Sequence, residues 1–570
     1  MSPTLLQVLC FVAGLALIIA CALYIRCQNN REYAQMQLHA PLLAASLDGL
    51  DRDLVAAREA ELGCHVCDAC GFENFKRVRF CNVCGEPTSE DAEKRMKKLK
   101  TANELSGRRL RASKRREWVR KVDVEGNAFW YRDSDSQQSV QLLPGFVASF
   151  SHREQVAIIP GEGKTAALIT EAQNTQLELI ESSKADAAVF PLGGRLESEY
   201  YVREVVDLAA SLKFPSKYAL FVTKSVAALA PTRRQLVKLN ITRKFALEQS
   251  MEHLSCMDTR FARADVTIKY IKEPRAATSN LQREWFVHLN ELLGNPNTGL
   301  FTLANKSDQT FYFNRHSKAL GNMWGFHLAT PLLRIILGQP VSFMDLEFFD
   351  PDEYKNFNWL VKNNGAEALG LDFSVTETVN EELVIVDLVP NGRNIPVTDE
   401  NKMEYLERRF KYTLFESVSE QLYAFLKGIY EVVPQEQLML LDPEEFDYVL
   451  CGSDVIDVDD WELHSKYNET IHAHPSKKWF WKFVRSMPLE YKKRLLHFTT
   501  GNTRVPLGGF VTLTNYNGRL APFTIVGREL VASRLIRGQP CFNHLELPTY
   551  VKKKELKSVL FGILDNYDYE

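Results

Sequence analysis

The first pattern along the chain is an uninterrupted apolar run near the N-terminus. Residues 5–25 span 21 positions without a charged side chain, and Arg26 and Arg31 follow them. A helix of this length would be roughly 32 Å long, enough to cross the hydrocarbon core of a bilayer. The pattern predicts a transmembrane anchor in residues 1–30, and the basic flank predicts that the remainder of a single-pass protein lies in the cytosol.

A cleaved signal peptide is the alternative interpretation of the same run. Ala20-Cys21-Ala22 would serve as its cleavage site, but no basic side chain precedes the apolar stretch. The hydrophobic length and the flanking charges favour the anchor.

The next pattern along the chain is a recurrence of apolar positions at helical spacing. Leucines recur among charged residues over 31–62, which predicts a juxtamembrane helix. Residues 146–209 give only mixed short strand patterns and are assigned to no domain.

The composition limits the architecture and the function. A chain of 570 residues is too long for one hydrophobic core, and a net charge of −3 argues against a dedicated nucleic-acid binder.

Five of the eleven cysteines fall between residues 64 and 84, which is the spacing of a metal site. Two C-x2-C pairs suit tetrahedral zinc, because each tight turn brings two sulfurs to one ion. The predicted ligands are Cys67, Cys70, Cys81 and Cys84, with Cys64 as a spare. The metal would be structural Zn2+.

With Asn74, this spacing resembles the small zinc ribbon of the Ran-binding nucleoporin type, here within residues 63–90. Members of that family bind ubiquitin or single-stranded RNA. The ubiquitin-binding members carry a Thr-Phe pair after the second cysteine, and this chain has Gly71-Phe72. The resemblance therefore implies ubiquitin binding through Phe72, and a purely structural ribbon is the alternative.

A basic segment follows the cysteines. Thirteen Lys or Arg residues lie between Lys94 and Lys121. The pattern is typical of a solvated linker, here residues 91–117, and next to an anchor it predicts contact with anionic lipids. RNA binding is a third interpretation, and nucleic acid is disfavoured by the overall charge.

Trp118 and Phe129-Trp130-Tyr131 resemble the first half of a WW module, a three-stranded binder of proline-rich peptides. Val140 falls near the place of the second signature tryptophan. We expect a WW-like hairpin in residues 118–145.

The remaining chain resembles HECT-type ubiquitin ligases from about residue 210 to its end. The resemblance is carried, in the order of the family, by Lys213-Phe214-Pro215, Gln282-Arg283-Glu284-Trp285, Leu388-Val389-Pro390-Asn391-Gly392, Gly428-Ile429-Tyr430, Thr503-Val505 and Pro540-Cys541-Phe542-Asn543. It implies a multidomain α+β protein that ends in two lobes. These are a mainly helical N-lobe at 210–467 and an α/β C-lobe at 476–570, with a hinge at 468–475.

The same resemblance implies that Cys541 carries ubiquitin as a thioester, with no cofactor for catalysis. The implied supporting residues are Thr503, Arg504, Phe542, Asn543 and Tyr567, the last in an acidic tail. Gln539-Pro540 stands where the family has a His-Thr pair, so the role of that histidine is not transferred. We expect His544 to be a surface residue.

Three partners are implied: a ubiquitin-conjugating enzyme, ubiquitin itself and a protein substrate that the modification marks for degradation or signalling. The family binds the conjugating enzyme on a small N-lobe subdomain. The apolar residues expected in that groove are Tyr354, Phe357, Leu360, Leu371 and Phe373. The alternative function is a membrane-tethered ubiquitin-binding adaptor with an inactive HECT-like domain.

Overall fold

The fold is described from a computed structural model. The described residues are 60–88, 118–122, 128–132, 146–159, 167–181, 212–229, 236–255, 265–271, 285, 288, 289, 292, 301–306, 310–315, 327–379, 382–433, 435–453, 455–514, 520–529 and 535–566.

The cysteine segment folds into a small unit, called the finger below and comprising residues 64–88. Its strands β1 (Cys64–Val66) and β2 (Glu73–Phe75) pair in antiparallel fashion. Each C-x2-C turn closes on a glycine with positive φ: the Gly71 amide donates to the Cys67 carbonyl and the Gly85 amide to that of Cys81. Glycine suits both places because side chains disfavour this left-handed backbone.

Two antiparallel strand pairs follow the finger. Strands β3 (Trp118–Val122) and β4 (Ala128–Arg132) pair where the WW-like hairpin was expected. The unassigned region contains a long ribbon of β5 (Phe146–Ile159) and β6 (Ala167–Glu181). Phe146 exchanges two backbone hydrogen bonds with Val341, and this anchors the ribbon to the next domain.

The described part of the N-lobe is a helical domain decorated by short strand pairs. Its helices are α1 (Phe214–Leu229), α2 (Ala246–Ser255), α3 (Thr330–Ile336), α4 (Leu346–Phe349), α5 (Pro351–Lys362), α6 (Lys402–Leu414), α7 (Ser419–Val432), α8 (Gln435–Leu438) and α9 (Pro443–Cys451). Its strand pairs are parallel β7 (Leu236–Ile241) with β8 (Asp265–Tyr270), antiparallel β9 (Phe301–Asn305) with β10 (Thr310–Phe313), and antiparallel β11 (Ser374–Val379) with β12 (Glu382–Asp387).

The C-lobe is a four-stranded mixed sheet with helices packed against it. Its strands are β13 (Lys466–Tyr467), β14 (Thr524–Arg528), β15 (Arg537–Gln539) and β16 (His544–Pro548), in the spatial order β13-β14-β16-β15. Its helices are α10 (Val458–Leu463), α11 (Glu469–His472), α12 (Pro475–Ser486), α13 (Leu489–Thr500) and α14 (Lys553–Asp565). Only β15 runs antiparallel to its neighbour.

The two lobes have separate hydrophobic cores, and the boundary between them differs from the predicted hinge. Ile471 is fully buried in the C-lobe core, and Asn468 exchanges two hydrogen bonds with Gly527 of β14. Residues 468–475 are therefore an integral part of the C-lobe. The change of core occurs between α9 and α10, so the linker is Gly452–Asp457.

The prediction of a single-pass membrane protein is corrected by the helices. None of those in the described ranges combines the length and apolar character needed to traverse a bilayer. The longest, α1, has 16 residues and measures about 24 Å, against about 30 Å for the hydrocarbon core. Residues 5–25, on which that prediction rested, and most of the juxtamembrane helix and basic linker lie outside the described residues.

Candidate functional site

The loop that carries Cys541 joins two neighbouring antiparallel strands of the C-lobe. Gln539 and His544 are register partners at the ends of β15 and β16, so Pro540-Cys541-Phe542-Asn543 is a four-residue hairpin loop. Residues Pro540–Phe542 form one 3-10 turn. Proline suits the start of such a turn because its ring fixes φ near −65°. The sequence thus places Cys541 at the second position of a tight loop.

Asn543 closes this loop. Its φ of 54° lies in the left-handed region, which asparagine tolerates better than most residues with a side chain. The side chain is fully buried, and its Nδ2 donates to the carbonyls of Thr514 at 3.1 Å and Ala521 at 2.8 Å. Asn543 therefore sets the backbone direction after Cys541 and ties the loop to a neighbouring segment.

The strand before the cysteine is held by close packing against α13. A Cβ placed on Gly538 would lie 2.1 Å from the carbonyl oxygen of Phe498, so only glycine fits there without a backbone shift. Gln539 donates to the buried Glu546 carboxylate at 2.6 Å, and Arg528 donates to the same oxygen. Gln539, which stands where the family has histidine, thus serves as a structural hydrogen-bond donor. Sequence reasoning identified neither this role nor that of Gly538.

The structure places His544, expected to be a surface residue, at the start of β16. His544 is only partly exposed on β16, and its ring lies 5.8 Å from that of Phe542. Desolvation by burial lowers the pKa of His544, although the Glu546 carboxylate opposes this effect. Burial therefore favours the neutral form of the imidazole.

The other predicted supporting residues lie elsewhere. Arg504 donates from a guanidinium nitrogen to the carbonyl of Cys451, the last residue of α9, at 3.3 Å. Thr503 precedes it, and Val505 forms a β-bridge with Ser453 of the linker. The segment expected to support the thioester strand thus lies at the lobe junction. Tyr567 falls outside the described residues.

The four cysteines predicted as metal ligands come together and are all buried. Sγ atoms are 3.5 Å apart in the Cys67–Cys84 pair and 3.6 Å apart in the Cys70–Cys81 pair. Hydrogen bonding with Cys67 raises the pKa of Cys70, and the same bond lowers the pKa of Cys67. This donor set suits a soft tetrahedral cation.

Asn74 supports the cysteine cluster from the side. It donates from Nδ2 to the Cys81 sulfur at 3.4 Å and accepts the Asn82 amide on Oδ1 at 2.9 Å. These two hydrogen bonds fix the position of the Cys81 sulfur relative to the second turn, as outer partners do in metal sites.

A contact with ubiquitin would require Phe72 to lie on the surface, but the structure buries it. The residue is 1% exposed, and its ring packs 5.3 Å from that of Phe214 and 5.4 Å from that of Tyr448. Phe72 therefore contributes to the packing between the finger and the N-lobe.

The residues predicted for the conjugating-enzyme groove are also internal. Tyr354, Phe357, Leu360 and Phe373 are buried, and Leu371 is partly buried against the same core. Their apolar character alone does not distinguish a buried core from a binding groove.

Large apolar side chains are instead exposed next to those core residues. They are Trp359 on α5, Leu369 in the following turn, and Leu383, Val384 and Ile385 on β12. Leu383 is 75% exposed. Because consecutive strand residues point to opposite faces, β12 exposes apolar side chains on both faces of its strand pair with β11. The signal in the sequence was Leu383-Val384-Ile385-Val386, a run without alternation.

Asn543 provides a direct test of the loop geometry. We expect Asn543→Ala to destabilise the C-lobe by about 3 kcal/mol, because it loses two hydrogen bonds and strains a left-handed backbone. Asn543→Gly keeps the backbone freedom and should lose only about 2 kcal/mol. Urea unfolding of the purified chain measures both, and an alanine variant as stable as wild type would contradict the assignment.

Comparison with known proteins agrees with the resemblance carried by the C-terminal motifs. Residues 286–566 match the family model described as HECT-domain (ubiquitin-transferase). The chain is 32% identical over 384 residues to the E3 ubiquitin-protein ligase TOM1-like of Neurospora crassa, covering 63% of this chain and 9% of that protein.

Two further relatives are similar over a comparable part of the chain. The E3 ubiquitin-protein ligase pub1 of Schizosaccharomyces pombe is 31% identical, covering 56% of this chain and 44% of that protein. The E3 ubiquitin-protein ligase RSP5 of Chaetomium thermophilum is 32% identical, covering 56% and 42%. The chain spans less than half the length of each of these relatives. Residues 286–566 are therefore similar to HECT ubiquitin-transferase domains, and this part of the chain is the one that the family model covers.

Proposed function

We propose that this protein is a ubiquitin-protein transferase that accepts ubiquitin on Cys541 and passes it to a lysine of a protein substrate. The observation that carries the proposal is the position of Cys541 in a four-residue loop whose backbone Asn543 fixes, within a HECT domain. A retained nucleophile in a locked loop is not required by an inactive adaptor.

Two acyl transfers make up the reaction. The Cys541 thiolate attacks the carbonyl of a ubiquitin thioester, and the thiolate of the conjugating enzyme leaves. A substrate amine then attacks the new thioester, the Cys541 thiolate leaves, and the nitrogen loses a proton as the isopeptide bond forms. The first exchange replaces one thioester by another, so positioning of the reactants supplies most of what the protein must add.

We propose that the conjugating enzyme binds the exposed strand pair of β11 and β12, and not the buried residues first predicted. Leu383, Val384 and Ile385 offer an exposed apolar surface on β12, and exposed contiguous apolar residues are typical of binding sites. The proposed binding surface thus lies in the same subdomain as first predicted, but it consists of side chains that face outwards.

For the finger we propose a structural Zn2+ held by Cys67, Cys70, Cys81 and Cys84. The convergence of four buried sulfurs supports this, because four buried thiols without a cation would have to share few hydrogen-bond partners. The cation would stabilise the two turns, and no step of ubiquitin transfer passes through it.

The catalytic assignment predicts distinct outcomes for two replacements of one residue. With charged conjugating enzyme, wild type should form a ubiquitin adduct that a thiol reductant cleaves, and Cys541→Ala should form none. Cys541→Ser should form an adduct that resists the reductant, because an oxyester replaces the thioester. Gel electrophoresis with and without reductant distinguishes these, and Cys451→Ala is the matched control. An unchanged reducible adduct in Cys541→Ala would refute the assignment, and binding without any adduct would favour the adaptor.

The zinc assignment predicts one zinc ion per chain by elemental mass spectrometry. Cys81→Ser should lose it, because a hydroxyl is a poor replacement for a thiolate ligand. Cys64→Ser, which alters the spare cysteine, should retain it. Equal zinc content in both variants would exclude the proposed ligand set.

The partner surface predicts that Leu383→Ser weakens binding of the conjugating enzyme about tenfold, as for an apolar anchor worth about 1.4 kcal/mol. The folding stability should not change, because the side chain is already solvated. Calorimetric titration measures the affinity, and Val551→Ser, an equally exposed position in the C-lobe, is the control. Equal affinity for wild type and Leu383→Ser would place the surface elsewhere.

A further inference from the structure

The finger is attached to the N-lobe by a buried aromatic contact. Phe72 and Phe75 pack around Phe214 at the start of α1, with ring centroids 5.3 and 5.5 Å away. Phe72 also contacts Tyr448 on α9, and Phe75 contacts Tyr218 on α1. Three of these rings are almost fully buried, and the finger's four buried cysteines belong to the same hydrophobic core.

A polar contact completes this attachment. A Glu73 carboxylate oxygen accepts the backbone amide of Phe214 at 2.8 Å, at the N-terminus of α1. A negative charge there satisfies a free helix amide and interacts favourably with the helix dipole. The finger is thus a fixed part of the N-lobe, because opening this contact would expose several aromatic rings to water.

The opposite edge of the finger touches the C-lobe. Arg79 donates to both carboxylate oxygens of Asp457, with its Nε 2.6 Å from Oδ2, and lies 3.9 Å from the Asp459 carboxylate. Asp457 is the N-cap of α10, where its Oδ1 accepts the amides of Asp459 and Asp460. The guanidinium is therefore joined to the first helix of the C-lobe at the end of the linker.

A crevice runs beside this ion pair. Finger residues 77–80 line one wall and C-lobe residues 505–510 line the other, with Ser453 and Val455 of the linker between them. The finger thus spans the junction at which the two cores are separated by a few residues of chain.

The two attachments differ in strength. The N-lobe contact is apolar and buried, whereas Arg79 and Asp457 are 31% and 16% exposed. A partly exposed ion pair contributes little to stability and is weakened by salt. Movement of the C-lobe would break this contact first, while the finger stays on the N-lobe.

We propose that Arg79 is a positioning residue that holds the C-lobe, through Asp457, in one orientation relative to the N-lobe. We call this contact the Arg79–Asp457 latch. The significance of the latch for catalysis rests on the proposed function, because two successive transfers bring Cys541 to two different partners. The latch favours one orientation, and its release makes others accessible.

Lobe orientation can be measured in the full chain without ubiquitin or a conjugating enzyme. Fluorophores on non-canonical amino acids at Lys427 of α7 and Val551 before α14, both exposed, report the inter-lobe distance by single-molecule energy transfer. Wild type should give one dominant population. Arg79→Gln should increase the minor population about two- to fivefold, the ratio that corresponds to a bidentate, partly exposed ion pair.

Three matched variants distinguish the latch from a general effect. Asp457→Asn leaves the sequence of the finger unchanged and keeps an acceptor at the N-cap of α10. It should increase the minor population as Arg79→Gln does. Arg79→Lys keeps the cation and should restore most of the dominant population. Lys76→Gln removes the same charge from an exposed position of the finger and should behave as wild type. Raising salt to 1 M should shift wild type towards Arg79→Gln.

An Arg79→Gln distribution identical to wild type would overturn the proposal, and so would an equal shift in Lys76→Gln. In transfer assays the latch variants should change the ratio of thioester formation to lysine transfer, while the affinity for the conjugating enzyme stays constant. An unchanged ratio would remove the positioning role. If wild type forms no adduct at all, the proposed function fails while the energy-transfer result still tests the latch.

Discussion

The linker Gly452–Asp457 is the constraint on which the arrangement of the site depends. It joins two separate hydrophobic cores, and Ser453 pairs with Val505 so that the C-lobe is docked against it. Gly452, with φ of 71°, ends α9 in a conformation that most residues disfavour. The exposed ribbon at Leu383 lies on one side of this linker and Cys541 on the other. The relative orientation of the lobes therefore determines which groups Cys541 can reach.

Rigidity is concentrated on either side of that junction. The loop of Cys541 is set by a buried asparagine, a glycine packed against a carbonyl and a hydrogen-bonded glutamine, so the backbone of Cys541 has little freedom within its lobe. Aromatic packing fixes the finger to the N-lobe, and the finger reaches the linker. Movement is thus expected between the lobes, which meet at the Arg79–Asp457 ion pair, the Ser453–Val505 bridge and the buried side chain of Leu507, rather than within either of them.

Sequence patterns predicted the features that depend on local spacing. The two C-x2-C turns and the hairpin at Trp118 were expected from short motifs, and both are present in the structure. Features that depend on which side of an element faces inwards were predicted less well. Phe72 and the residues chosen on α5 are apolar because they are buried, and spacing alone does not distinguish burial from a binding surface.

The misplaced hinge and the anchor failed for different reasons. Asn468, His472 and Pro475 interrupt helical periodicity as a linker would, but Asn468 instead makes two hydrogen bonds to β14, a long-range pairing that no local pattern contains. The apolar run at residues 5–25 met the length criterion for a span, yet no described helix meets the requirements for one. The contact between Arg79 and Asp457 joins residues 378 positions apart, so only the folded chain reveals it.

The central claim is that Cys541 is the residue that carries ubiquitin. The most direct measurement is to react the unaltered chain with charged conjugating enzyme, quench with acid, digest, and locate the thioester-linked ubiquitin remnant by tandem mass spectrometry. The account predicts that the remnant lies on the peptide containing Cys541 and disappears when a thiol reductant is added. A remnant on any other cysteine, or none on a chain that binds the charged enzyme, would contradict it.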